Sequence, residues 1–169
     1  MTPIFNVTIV LFIVLFVYLS EKIYREYDCF AQCIRDVYAV QDIFGISWCW
    51  LGDKDYEFRF VQTVPEKRQD AVYILFDEWY KNGAIFSLEK EGKRFVPQIR
   101  RDKLLIEMGI ILSGVEGQIK DYEATDALWQ ALFRKQYKKL KELAPKLRKL
   151  YDTICSMETN SVFCTPIEL

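Results

Sequence analysis

The spacing of hydrophobic and polar positions changes along the chain. Its first part is an apolar N-terminal run. Residues 4–19 (IFNVTIVLFIVLFVYL) contain no charged side chain. At about 1.5 Å per helical residue this run spans about 24 Å, near the short limit for crossing a bilayer. Lys22 and Arg25 follow the run, and no basic side chain precedes it. The pattern predicts a single transmembrane anchor over residues 1–20, with the C-terminal part facing the cytoplasm.

Two other interpretations of the apolar run are a cleaved signal peptide and a buried core helix. A signal peptide carries a basic start and a small-x-small cleavage pattern, whereas this run begins without a basic side chain and ends in Tyr18-Leu19. An uncleaved anchor is therefore favoured.

The segment after the anchor, residues 21–44, has apolar positions at alternating spacings of four and three, which predicts an amphipathic helix. The positions of this seam are Ile23, Tyr27, Phe30, Ile34 and Val37. The seam could dimerise the anchor as a coiled coil, or it could pack on its own domain. The second interpretation is favoured because the pattern covers barely three heptads.

The middle of the chain alternates between strand-like and helix-like spacing. Apolar and aromatic residues recur at every second position in 46–60 around a Gly-Asp-Lys-Asp loop, which predicts a β-hairpin. A helix from Thr63 to Asn82-Gly83 follows, and then a second predicted hairpin over 84–99. Residues 102–119 again show helical spacing.

From about Thr125 the spacing predicts one long helix with a continuous apolar stripe, and Pro145 predicts a kink or a break followed by a short second helix. The fold class expected is mainly α: an N-terminal single transmembrane helix and a small helical domain with one or two β-hairpins, with an α+β arrangement as the alternative. The predicted divisions are an anchor over 1–20, a cytoplasmic domain over 21–155 and a mobile tail over 156–169.

The amino-acid composition limits the catalytic and metal-binding chemistry that is expected of this chain. The chain has 169 residues and no histidine, so the commonest general base and metal ligand is missing. Cys29 and Cys33 lie four apart, but no second pair completes a metal site, and the odd count of five cysteines favours a reducing compartment. No catalytic motif is recognisable, so we expect no enzyme activity, no catalytic residues, no cofactor and no metal.

Charge is concentrated in residues 134–149, which hold eight basic residues and one acidic residue in a chain of formal net charge −1. The basic positions fall mostly off the apolar stripe of the last helix. They are Arg134, Lys135, Lys138, Lys139, Lys141, Lys146, Arg148 and Lys149. The apolar stripe is expected to pack on the helix of 21–44, which leaves the basic residues facing outwards.

Four roles are open for this basic face: contact with an anionic leaflet, docking of an acidic protein subunit, phosphate contacts with nucleic acid, and plain solvation. The sequence favours a membrane-anchored, non-catalytic structural or regulatory subunit of a membrane-associated assembly, with the helix of about 125–154 as its contact surface. The alternatives are a self-associating single-pass effector with a cytoplasmic sensor domain, and a membrane-tethered nucleic-acid-binding module, which is disfavoured. The expected partners are the membrane, through the anchor and anionic lipid, and other protein subunits or a second copy.

Overall fold

The computed structural model describes residues 3–45, 49–51, 58–60, 64–91 and 94–164. Within these ranges the chain is mainly α, as predicted, and it holds four helices. The helices are α1 (Pro3–Gly45), α2 (Glu66–Lys81), α3 (Arg101–Glu123) and α4 (Ala127–Cys155). The strands are β1 (Cys49–Leu51), β2 (Phe58–Phe60), β3 (Ile85–Glu91), β4 (Arg94–Arg100) and β5 (Val162–Cys164).

Helix α1 is one unbroken element of 43 residues that joins the apolar run to the amphipathic segment. Its only proline and glycine are its first and last residues, Pro3 and Gly45, so nothing inside it interrupts helical geometry. Residues 7–20 are exposed throughout, and the first buried side chain is that of Phe30. The first half of α1 therefore projects from a body that is built on its second half.

The body is a bundle of the second half of α1 with α3 and α4. Three contacts pair successive α1 residues with successive α4 residues: Lys22 with Trp129, Phe30 with Phe133 and Tyr38 with Lys139. The two helices therefore run in the same direction. Helix α3 runs the opposite way, because Gln118 near its end donates to Glu26 near the start of the amphipathic segment, at 2.6 Å. We call the end of the bundle next to the apolar run the proximal end, and the end near Gly45 the distal end.

A tight corner at the proximal end joins α3 to α4. The Asp126 carboxylate accepts a hydrogen bond from the backbone N–H of Trp129 at 2.9 Å and so caps the start of α4. The Tyr122 hydroxyl donates to the carbonyl of Gln130 at 2.5 Å, and the Gln130 amide donates to the carbonyl of Thr125 at 3.1 Å. These bonds hold the first turn of α4 rigidly against the last turn of α3.

Helix α4 is continuous across Pro145, so the predicted break and separate second helix are wrong. Proline removes one backbone donor, but the apolar stripe continues on both sides of it. Leu143, Leu147 and Leu150 are all buried in the same core. Packing of this stripe against α1 and α3 outweighs the loss of one hydrogen bond, and the helix remains intact.

Helix α2 crosses the distal part of α1 and closes the core there. Trp79 has no exposed surface, and its ring centroid lies 5.9 Å from that of Phe44. The helix ends as the sequence predicts, because Gly83 adopts a φ of 78°, a left-handed conformation that glycine accepts without steric cost. The chain then turns directly into β3.

Strand β4 is the centre of the paired strands at the distal end. It pairs antiparallel with β3 from Ile85–Ile99 to Glu91–Arg94. Its Phe95 also pairs with Cys49 of β1, which pairs antiparallel with β2. The segments with strand-like spacing hold these strands, whereas the predicted Gly-Asp-Lys-Asp loop (52–55), the start of the first hairpin (46–48) and residues 92–93 lie outside the described residues.

Residues 156–164, which the sequence predicts as the first part of a mobile tail, are joined to the body. Strand β5 pairs with β4 from Gln98–Cys164 to Arg100–Val162. The backbone N–H of Asn160 donates to the Asp102 carboxylate at 3.0 Å, and a hydrogen bond from Arg101 holds the pKa of that carboxyl below its usual range. The turn-rich composition of this stretch therefore forms a turn that returns the chain to an open strand edge.

Candidate functional site

The exposed half of α1 is the first surface with functional potential. Among the described residues, α1 is the one helix long and apolar enough to cross a membrane, with a mean hydropathy of 2.0 over an 18-residue window, none of it buried. Large side chains such as Phe12 and Phe16 expose 73% and 68% of their surface. The body of this chain leaves residues 7–20 exposed, so they do not form a buried core helix.

The five seam residues of α1 divide into two groups. Phe30 and Val37 have no exposed surface, and Ile34 is half-buried against the same core. Ile23 and Tyr27 remain 39% and 53% exposed. The distal part of the seam therefore packs on its own body, and only the proximal part is open to another molecule.

The basic surface is the exposed side of α4, formed by the eight basic residues predicted from the sequence. All of them lie on α4, and none is buried. Their backbone positions are fixed by the buried stripe on the opposite side, of which Leu140 and Leu147 have no exposed surface. The structure thus brings these residues onto one rigid helix.

Three of the eight basic side chains contact acidic or aromatic neighbours within the chain. Arg148 binds Glu116 of α3, and this hydrogen bond raises the pKa of the guanidinium. Lys141 donates to the Glu123 carboxylate at 2.5 Å, which raises the pKa of the ammonium group and lowers that of the carboxyl.

Lys139 is the third of these residues. Its ammonium group lies 5.6 Å from the ring centroid of Tyr38 and 3.6 Å from the Glu142 carboxylate. A hydrogen bond to the Tyr38 hydroxyl raises the pKa of Lys139. Lys139 therefore forms part of the junction between α1 and α4 and is less free to bind a partner.

Sequence reasoning missed Glu116 and Glu123 as neutralising partners. Both lie on α3, far from the basic stretch in sequence, and only the antiparallel packing of α3 on α4 brings them close. Five basic side chains form no ion pair with any described residue. They are Arg134, Lys135, Lys138, Lys146 and Lys149.

The five unpaired residues form two groups along α4. Arg134, Lys135 and Lys138 lie in the proximal half, where Arg134 and Lys138 line an open recess of about 530 Å³ that also meets Glu123. Lys146 and Lys149 lie in the distal half. At about 1.5 Å per residue, Lys149 is about 30 Å along the helix from Trp129.

The cysteines of α1 lie beside a different recess. Cys29 is exposed, and Cys33 is half-buried in a groove of about 430 Å³ between α1, α2 and α3. In the part of the chain that the structure describes, no group of three His, Cys, Asp or Glu side chains could hold a metal ion.

The chain matches no family model, no curated protein and no solved structure. The geometry of the exposed half of α1 and of the basic surface therefore carries the functional argument.

Proposed function

We propose that this protein is a single-pass, membrane-anchored, non-catalytic subunit whose body lies on the cytoplasmic side and docks an acidic protein partner through the basic surface of α4. The single observation that carries this proposal is the continuity of α1. The first half of α1 is apolar and exposed, and its second half continues without interruption into the core of the body. The body carries unpaired basic residues on α4.

An uncleaved anchor agrees with the packing of α1. Cleavage behind the apolar run would cut a continuous helix within a few turns of Phe30, which stacks on Phe133 in the core. The proposed orientation rests on Lys22 and Arg25, because basic residues close to a span remain on the cytoplasmic side.

A protein partner suits the distal basic residues better than the bilayer does. Lys146 lies about 26 Å along α4 from Trp129, whose ring contacts Lys22 just beyond the apolar run. The 18 residues from Pro3 to Ser20 reach only about 27 Å, so the span needs little tilt. Lys146 and Lys149 are then about two to three Debye lengths from the lipid surface, where attraction to anionic lipid is largely screened.

Co-purification of the full chain from its native host tests the proposal. A C-terminally tagged chain would be extracted in mild detergent, and its native mass and stoichiometric partners would be compared among three forms. The test variant carries Lys138→Glu, Lys146→Glu and Lys149→Glu. The control carries Lys67→Glu, Lys103→Glu and Lys120→Glu, three exposed lysines elsewhere on the body, and so has the same net charge.

We expect the wild type and the control to retain a stoichiometric acidic partner and the test variant to lose it. Retention by all three forms would place docking elsewhere, and recovery without detergent would overturn the anchor. Protease access to the C-terminal tag from the cytoplasmic side alone is the expected orientation, and access from the opposite side would overturn it.

A self-associating effector is the second candidate, favoured by the exposed Ile23 and Tyr27 next to the apolar run. A homo-oligomer without other proteins, lost on Ile23→Ser and Tyr27→Ser, would establish it in place of the first. Binding of nucleic acid through the basic surface would instead weaken steeply between low and physiological salt.

A further inference from the structure

The corner between α3 and α4 carries apolar side chains that the body leaves uncovered. Leu128 and Leu132 lie one turn apart on α4, so they share a face of the helix, and they expose 72% and 51% of their surface. Their neighbour Trp129 is only half-buried. A surface that covered these leucines would remove apolar area from water, which is favourable.

Two contacts between α1 and α4 give the position of this corner relative to the predicted anchor, and the first involves Lys22. The Lys22 ammonium group lies 4.8 Å from the centre of the Trp129 ring. Lys22 follows Ser20, the last residue of the predicted anchor, by about 3 Å along the helix. Leu128 precedes Trp129 on a helix that runs parallel to α1, and helical side chains incline towards the N-terminus. Counted from the stack of Phe133 on Phe30 instead, Leu128 lies about 8 Å beyond Ser20, so the two contacts place it between about 2 and 8 Å beyond the predicted anchor.

We propose that the α3–α4 corner is a second membrane contact, in which Leu128, Leu132 and Trp129 lie in the interfacial layer of the leaflet that α1 enters. This inference rests on the proposed anchor. The interfacial layer is about 5–8 Å deep on each side of the hydrocarbon core, and one helical turn separates the two leucines by about 6 Å. Leu128 thus lies within the interfacial layer, and Leu132, one turn further along α4, lies at its outer edge.

Apolar burial drives this contact, and attraction to anionic lipid adds little. Arg134 and Lys135 follow the leucines, but Asp121 and Asp126 lie on the same corner, while Glu123 is already paired with Lys141. Nearby charges of opposite sign cancel the local field felt by a leaflet. Asp121 and Asp126 thus offset part of the proximal positive charge, whereas no acidic residue of the corner is near the distal Lys146 and Lys149, which remain free for a protein partner.

Depth-dependent quenching in nanodiscs tests the inference on the full chain. An environment-sensitive fluorescent amino acid would replace Leu128, Ile110 or Phe12, one position at a time, in nanodiscs with and without phosphatidylserine. Ile110 of α3 is the matched control, because it is 65% exposed but lies beside Arg35 and Asp36, about 22 Å beyond Ser20. The quenchers are phospholipids brominated at chosen depths of the acyl chain.

We expect strong quenching at position 12 by deep bromines, quenching at position 128 by shallow bromines, and none at position 110. The result at 128 should be equal with and without phosphatidylserine. Quenching at 12 but not at 128 would overturn the corner contact and leave the anchor standing, and no quenching at 12 would overturn both. Quenching at 128 only with phosphatidylserine would show that attraction to anionic lipid, and not apolar burial, drives the contact.

Discussion

The ring of Phe133 stacks on the ring of Phe30, with centroids 5.9 Å apart and planes inclined by 20°. Phe30 is fully buried, and Phe133 exposes 3% of its surface. Tyr122 of α3 meets Phe30 edge-on at the same centroid distance. One aromatic cluster therefore joins all three long helices at the proximal end of the bundle. It holds α3 and α4 against the second half of α1.

Replacing Phe133 with alanine should remove much of this junction. We expect Phe133→Ala to lower the free energy of unfolding by about 3–5 kcal/mol, because it leaves a cavity between α1, α3 and α4. Ile110→Ala, at a 65% exposed position, should change it by no more than about 0.5 kcal/mol. Urea unfolding of the full chain in detergent micelles, followed by near-ultraviolet circular dichroism, measures both. Equal losses of unfolding free energy in the two variants would contradict a stabilising role of this cluster.

Arg101 should stabilise the distal end of α4. Its guanidinium donates to the backbone carbonyls of Cys155 at 2.8 Å and Ile154 at 3.3 Å, at the end of the helix, where only Ile154 also accepts a bond from the backbone N–H of Met157 at 3.1 Å. Arg101→Met should therefore cost about 1.5–3 kcal/mol of stability. The neighbouring exposed Lys103→Met is the control and should leave the unfolding midpoint unchanged. If the two variants behave alike, the capping role of Arg101 is wrong.

Pro145→Ala should stabilise the protein. The substitution supplies the backbone N–H that proline lacks, in a helix whose flanking Leu143 and Leu147 are already buried. We expect a gain of about 1–3 kcal/mol, measured as a shift in the urea midpoint at constant slope. Lys146→Ala, at the next exposed position, is the control and should give a much smaller change. A loss of stability on Pro145→Ala would mean that the core is shaped around a bend at the proline.

The Glu123 cluster predicts a pH dependence. The carboxylate accepts hydrogen bonds from Lys141 Nζ and the Tyr137 hydroxyl, both at 2.5 Å, and these lower its pKa from 4.5. A carboxyl with a lower pKa when folded stabilises the protein above its unfolded pKa and loses this effect as the pH falls through the folded value.

Thermal unfolding of the wild type and of Glu123→Gln, measured over a pH series, checks the sign. The wild type should be the more stable form at neutral pH, and the two melting temperatures should converge well below pH 4.5. Asp121→Asn, at an exposed neighbouring position on α3, should show a smaller difference from the wild type at neutral pH. A difference for Glu123→Gln that grows in acid would contradict the assignment.

The long helices could be predicted from the sequence because their apolar spacing is regular. The stripe from Phe133 to Ile154 is buried as predicted, and the segment of 21–44 continues the apolar run and packs on α4. Both depend on local periodicity, which a single sequence displays directly. The continuity of α4 across Pro145 could not be predicted in this way. There, tertiary packing of the apolar stripe offsets the loss of the backbone donor that proline lacks.

Relationships between distant elements could not be predicted. Glu116 pairs with Arg148 and Glu123 with Lys141 only because the tight corner after Glu123 folds α4 back along α3, in a register that the sequence does not display. The pairing of β5 with β4 likewise depends on an open strand edge that becomes available only in the folded chain. The division of the basic surface into paired and unpaired residues therefore required the structure.

The absence of any hinge in α1 has a mechanical consequence. A helix of 43 residues is a stiff rod about 64 Å long, and the part beyond Ser20 measures about 37 Å. In a bilayer whose thickness changes, the span adjusts by tilting, and the body tilts with it. A tilt of about 10° would carry the distal end sideways by about 6 Å. The thickness of the surrounding bilayer would thus set the position at which Lys146 and Lys149 are presented.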